Sequence, residues 1–119
     1  MPAAIRRILH VEEVGDTTII RFVDRKLLGE DTCRVIGDEL FSLVDGLGRR
    51  KLILDFQAVE YLASAVVGKF LTLNKKLKAH GGQLTLRNVS PDIYNFFEVS
   101  RLNLLFTIQR AEPVSESGA

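Results

Sequence analysis

The segment Lys51 to Phe56 contains Leu52-Ile53-Leu54 with no polar interruption. A strand with one wet face alternates apolar and polar side chains, whereas a strand covered on both faces has no reason to. The run is far too short to span a bilayer. It therefore predicts a central strand of an α/β sheet, covered on both faces. Helical patterns flank it. Upstream, Val35, Ile36, Leu40, Leu43, Val44 and Leu47 recur at helical spacing, and Gly46 and Gly48 close that helix. Downstream, after a short connection from Gln57 to Leu62, a second helix runs from about Ser64 to His80. Gly81-Gly82 stops it, because glycine tolerates the left-handed C′ conformation cheaply.

The rest of the chain fits the same class. Ile5 to Val14 and Thr17 to Val23 read as strands, and Gly15-Asp16 between them is a two-residue turn, so the pair forms a hairpin. Leu27 to Asp31 reads as a loop, with the Asp31 carboxylate capping the first helix. Gln83 to Asn88 is a strand. Ser90-Pro91-Asp92 starts a third helix, with a hydroxyl cap, a proline in the first turn and an acid near the positive dipole end. Its inner face is Ile93, Phe96 and Phe97. Leu102 to Phe106 follows, and Phe106 to Gln109 is a last edge strand. The order β-β-α-β-α-β-α-(α)-β is an α/β layer fold with a mixed sheet of about four to five strands.

Composition narrows the function classes. The 119 residues fit one domain, expected over residues 1–111, and residues 112–119, with Pro113, Ser115, Ser117 and Gly118, read as a disordered tail. A formal net charge of +1 argues against a dedicated nucleic-acid binder, which needs a one-signed basic face. The local run Lys75, Lys76, Lys78 reads as the solvated face of its helix. Cys33 is the only cysteine, so no intramolecular disulfide is possible and a reducing compartment is expected. Met1 to Val11 carries Arg6 and Arg7 but no apolar stretch of signal-peptide length. These features predict a chain that is cytoplasmic and not membrane-embedded.

The second helix holds the most informative pattern. At about 100° per residue, Val66, Phe70, Leu73 and Leu77 form one stripe, which must face the sheet. Ser64, Gly68, Leu71 and Lys75 fall on the opposite side. Glycine in mid-helix costs about 1 kcal/mol relative to alanine, and Leu71 is apolar where water is expected. Either Gly68 admits a close neighbour within the domain and Leu71 is a scattered exposed leucine, or the two form a flat notch that another chain can approach. Ser64 has two compatible readings as well. It can cap the helix, and it can carry a phosphate, because a helix N-terminus offers free N–H groups and positive potential.

Those residues carry a family resemblance. Leu52-Ile53-Leu54-Asp55-Phe56, then Val59-Glu60-Tyr61-Leu62-Ala63-Ser64-Ala65-Val66-Val67-Gly68, resembles the centre of a STAS domain, the anti-sigma-factor antagonist family. Leu77-Lys78-Ala79-His80-Gly81-Gly82-Gln83-Leu84 is similar to the family's helix end and next strand. Ser90-Pro91 followed by Phe96-Phe97-Glu98-Val99-Ser100-Arg101-Leu102 resembles its closing helices. The likeness runs from about Ile5 to Ile108. It implies a sheet with helices packed on it and a regulatory switch, in which a partner kinase that doubles as an anti-sigma factor phosphorylates a serine at the start of the second helix. The unmodified form then binds that partner and frees the sigma factor. The family's Asp-Ser-Ser-Gly-apolar-Gly is here Ala63-Ser64-Ala65-Val66-Val67-Gly68, so only Ser64 and Gly68 match. The usual acceptor position is Ala65, which cannot be phosphorylated. Either Ser64 takes over or the domain is an unswitched binder.

The residues do not assemble an enzyme. Asp24 and Asp55 follow predicted strands, where acids can bind Mg²⁺, but they read as turn and capping acids. His10 and His80 are isolated, and His80 suits a helix C-terminus. Cys33 reads as buried, not reactive. There is no Ser/His/Asp set, no glycine-rich phosphate loop and no metal spacing, so neither a cofactor nor a metal is expected. The predicted function is regulatory docking onto an anti-sigma factor/kinase or another regulatory protein, through Asp24, Ser64, Gly68, Leu71 and Lys75 and the loop from Asp24 to Leu28. The rival reading is a STAS subunit of a larger assembly, a lipid transporter complex or a signalling scaffold, without a phosphorylation switch. A homodimer is compatible with either.

Overall fold

A computed structural model describes residues 8–111. The predicted start of the first strand at Ile5 and the predicted tail lie outside the described residues. Strands β1 (Leu9–Val14) and β2 (Thr17–Phe22) form the expected hairpin, with Val14 paired to Thr17 and Gly15 at φ 64° in the turn. Next come β3 (Lys26–Leu27), α1 (Glu30–Asp45), β4 (Lys51–Asp55), β5 (Tyr61–Leu62) and α2 (Ser64–Ala79). The chain then runs through β6 (Gln83–Val89), α3 (Pro91–Val99), a 3₁₀ turn (Leu102–Leu104) and β7 (Thr107–Arg110).

The main sheet has five strands in the order β1-β2-β4-β6-β7. Only β1 is antiparallel; β2, β4, β6 and β7 run parallel to one another. This is the expected mixed α/β sheet. The cover differs from expectation, however. Thr18, Ile20 and Phe22 of β2, Leu52 and Leu54 of β4, and Leu84 and Leu86 of β6 are buried. Their alternates Ile19, Ile53 and Thr85, which the register sets side by side, are only half-buried. The apolar run of β4 is therefore not a strand covered on both faces. Leu52 and Leu54 enter the core, and Ile53 lies on a half-open face among isoleucine and threonine.

The core is built from apolar stripes that the helical periods marked in advance. Ile36, Leu40, Leu43 and Val44 of α1 and Val66, Phe70, Leu73 and Leu77 of α2 are buried. Phe22, Phe56 and Phe70 meet edge-on or tilted, with ring centroids 5.2–5.8 Å apart. Val35 and Leu47, expected with the inner stripe of α1, are exposed, as is Phe96 on α3. Leu47 has left the helix by then, and Phe96 stacks edge-on against Phe97, the residue that does fill the core. Between α1 and α2, Gly37 is buried because the Lys69 stem crosses it, and a Cβ there would sit 2.9 Å from Lys69 Cδ.

The helix ends repeat the pattern of partial agreement. Ser90 caps α3 as predicted, its hydroxyl accepting from the Ile93 amide at 3.3 Å, with Pro91 opening the helix. Gly81 ends α2 at φ 75°, and the Gly82 and Gly81 amides donate to the carbonyls of Leu77 and Lys78, a Schellman arrangement. Asp31, by contrast, does not cap α1. Gly29 holds that position without a side-chain bond, and Asp31 lies one residue inside the helix, paired with Arg34 at 2.7 Å.

Candidate functional site

The segments expected to be a loop from Leu27 and a plain connection to Leu62 are in fact tied together. β3 and β5 form a two-stranded parallel clasp. The Glu60 and Tyr61 amides both donate to the Arg25 carbonyl, and the Ala63 amide donates to the Leu27 carbonyl at 3.0 Å. Arg25 and Glu60 pair at 2.9 Å, which holds the Glu60 carboxyl below its ordinary pKa and the Arg25 guanidinium above its own. Lys26 lies 5.5 Å over the Tyr61 ring. The clasp thus fixes the segment after Asp24 against the first turn of α2, so the loop and helix named from sequence are neighbours.

Ser64 is the first residue of α2 and is exposed. It does not cap the helix. Ala63 occupies the capping position, and no side chain caps the first turn, which also lacks an acid. Replacing a good cap by alanine costs a helix about 1 kcal/mol. What remains at the surface is a serine hydroxyl beside amides with no capping oxygen, at the positive end of a sixteen-residue helix.

Gly68 is exposed, and a Cβ built on it would meet nothing within 4 Å. No neighbour within the domain therefore explains the glycine. Leu71 departs from expectation in the other direction: it is half-buried and packed against the core, so it is no freely exposed leucine. Lys75 is exposed, but the lysine run is not uniformly solvated, because Lys76 pairs with Asp45 at 2.9 Å and lies 5.3 Å over the Phe41 ring. Ser64, Ala65, Gly68 and Thr72 make an exposed strip of small side chains along α2. Tyr61, three residues before Ser64 in sequence, is 52% exposed. Tyr61 went unnamed as a site residue from sequence. Its signal was present as the one aromatic in a connection otherwise read as plain.

Other candidate groups take ordinary places. Asp55 is buried and serves a hydrogen-bond network within the sheet: the side chains of Arg87 and Asn88 and the Gln57 amide each donate to it at 3.0 Å. Burial pushes its carboxyl up, and the bonds from Asn88, Arg87 and Gln57 outweigh that and hold it below its ordinary value. Asp24 is half-buried, and Cys33 is half-buried against the core. Among the described residues, no three His, Cys, Asp or Glu side chains come together as a metal site would require. No described helix is long and apolar enough to cross a membrane.

Comparison with known proteins agrees with this architecture. The chain is 31% identical over 70 residues to BtrV of Bordetella bronchiseptica, a candidate anti-sigma factor antagonist, covering 59% of this chain and 60% of that protein. The chain thus spans less than two thirds of that relative's length. A candidate anti-sigma factor antagonist from Thermotoga maritima has the same fold, with a TM-score of 0.75 at 19% identity over 92% of this chain and 90% of that one. The Bacillus cell fate determinant SpoIIAA in its phosphorylated form superposes with a TM-score of 0.67 at 22% identity, over 92% of this chain and 95% of that one. The STAS domain model matches residues 6–114, nearly the whole sequence, and with the mixed sheet and the helix that follows β5 it settles the family: the chain belongs to the STAS domain proteins.

Proposed function

We propose that this STAS domain is a cytoplasmic regulatory docking module that acts as an anti-sigma-factor antagonist, engaging an anti-sigma factor or its serine kinase and not catalysing a reaction. The observation that carries this reading is Gly68. It stands exposed in mid-helix with nothing in its own chain to fill the space a side chain would take. An approaching backbone or ring can use that space. The docking face is Ser64, Gly68, Leu71 and Lys75, with the segment from Asp24 to Leu28 held beside it by the clasp. The likeness to BtrV supplies the partner class.

Ser64 is the residue through which docking is switched. A phosphate on it would add about −1.5 to −2 charges at neutral pH. The uncapped helix start accommodates them, so the fold survives. A partner packed on Gly68 would have to desolvate those charges, and binding weakens.

The test uses affinity capture from the native cell with the partner identified by mass spectrometry, followed by calorimetric titration of that partner. Gly68→Arg should weaken binding several-fold with the unfolding temperature nearly unchanged. Ser64→Asp should weaken it and Ser64→Ala should not. Normal binding by Gly68→Arg places the docking surface elsewhere. Equal affinities for the two Ser64 variants, with no phosphopeptide covering Ser64 from cells, leave the domain an unswitched binder.

A further inference from the structure

An open cavity of about 580 Å³ lies apart from the docking strip. It is lined by Gln57, Arg87, Asn88, Ser90, Gln109 and Arg110. These residues come from the carboxyl ends of β4, β6 and β7, three consecutive parallel strands, and from the cap of α3. Crevices outside the carboxyl ends of parallel strands are where open α/β sheets bind ligands.

The lining is chemically one-sided. Among the described residues it offers two guanidiniums, three side-chain amides and a hydroxyl, and no carboxylate. Arg87 donates a hydrogen bond at 3.0 Å to the Asp55 carboxylate, which fixes that guanidinium while leaving it further donors. Arg110 stands over the Tyr94 ring, its guanidinium carbon 4.8 Å from the ring centre, an arrangement that orients a cation without neutralising it. The site is built by an irregularity of β6. The register with β7 shifts between Arg87 and Val89, and Asn88 adopts φ 59°. In a regular strand consecutive side chains point to opposite faces. Here Arg87 and Asn88 both reach the same Asp55 carboxylate, and both line the cavity.

We propose that this cavity binds a small organic anion through a phosphate or carboxylate group, held between the Arg87 and Arg110 guanidiniums, with the amides of Gln57 and Gln109 and the Ser90 hydroxyl completing its hydrogen bonds. The volume exceeds what a bare anionic group fills, so an organic remainder shares the space. Ser90 can take part because its oxygen already accepts from Ile93, which leaves its proton to donate.

Titration of the ¹⁵N-labelled full chain with inorganic phosphate, and separately with acetate, at ionic strength held constant by sodium chloride, tests the site. At least one of the two should give saturable amide shifts at Gln57, Asn88, Gln109, Arg110 and Ala111. Arg110→Gln should weaken the titration about tenfold, the size of one charge-assisted hydrogen bond. Arg110→Lys, which keeps the charge and loses the fork, should fall between. Arg110 is exposed on an edge strand, so the remaining amide spectrum should be unchanged in both variants. Shifts that fail to saturate with either anion, or that persist undiminished in Arg110→Gln, would overturn the proposal. Its failure would leave the docking face untouched, because no residue is shared between them.

Discussion

Asp55 illustrates how much one residue organises. Its carboxylate is 3% exposed and would be costly to bury alone. It receives bonds from β4's own continuation at Gln57 and from Arg87 and Asn88 of β6, and Arg21 of β2 stands 3.7 Å away. The acid thus joins three neighbouring strands at one end of the sheet. Asp55→Asn keeps the size but removes the charge under Arg87. Breaking a buried pair costs about 3–5 kcal/mol. Arg87 is 30% exposed, so screening reduces the expected loss to about 2 kcal/mol. The pH dependence follows from the direction of the shift. The folded-state pKa is depressed, so the stabilisation is present above the ordinary carboxylate value and is lost as pH falls through the lower folded value. Urea unfolding should therefore separate the two proteins at pH 7, with a gap that starts to narrow only below the ordinary carboxylate value and closes below the lower folded one. A gap of the same size at both ends of that range would show that the hydrogen-bond geometry, and not the charge, is what Asp55 provides. The sequence showed this acid after a strand and read it as a turn acid, which the Gln57 bond bears out. Its longer-range partners depend on strand register and on the irregularity at Asn88, and no local pattern announces either.

At the scale of the element, α2 contains glycines at its middle and just past its end that do opposite things. Gly68 has no neighbour within 4 Å of an added Cβ, so Gly68→Ala should stabilise the chain by about 1 kcal/mol and raise the unfolding temperature by about 4 °C. Gly82 has the Arg50 carbonyl 2.4 Å from the same position. The contact is with backbone that also accepts from the Gln83 amide, so it cannot move freely. Gly82→Ala should cost about 2 kcal/mol or more. Thermal unfolding of both variants checks the contrast, and a destabilising Gly68→Ala would mean that the helix needs its glycine after all. The inner stripe of α2 and its glycine stop were legible because they rest on a period and on backbone conformation, both local properties. The outer face was legible only as an oddity. Spacing alone could not tell whether Gly68 made room for its own domain or for another chain, because that depends on what packs nearby. Leu71 was misread for the same reason: a position opposite the main stripe is still half-covered on a helix that lies low against its domain.

Across the whole molecule, stability should be distributed unevenly, and the segment proposed to dock should lie at its weak end. β2, β4 and β6 are flanked by hydrogen-bonded strands on both sides and carry the fully buried Ile20, Leu52, Leu54 and Leu86. The clasp that positions the start of α2 consists of two short strands, two residues each, outside that sheet. Leu27 anchors it in the core, but Lys26 and Tyr61 are exposed. The helix it introduces has no side-chain cap. Such a segment opens locally at a cost well below global unfolding, as elements that bind partners commonly do. Hydrogen exchange should accordingly show the amides of Ile53 and Leu54 exchanging only with global unfolding, and those of Tyr61, Ala63 and Ser64 several orders of magnitude faster. Weakening the clasp by Glu60→Gln, which removes an exposed ion pair with Arg25, should speed exchange at Tyr61 and Ala63 without changing it in β4. Exchange at Ala63 as slow as at Leu54 would show that the clasp is part of the same cooperative unit as the sheet, and that a partner meets a rigid surface instead of one it must help to order.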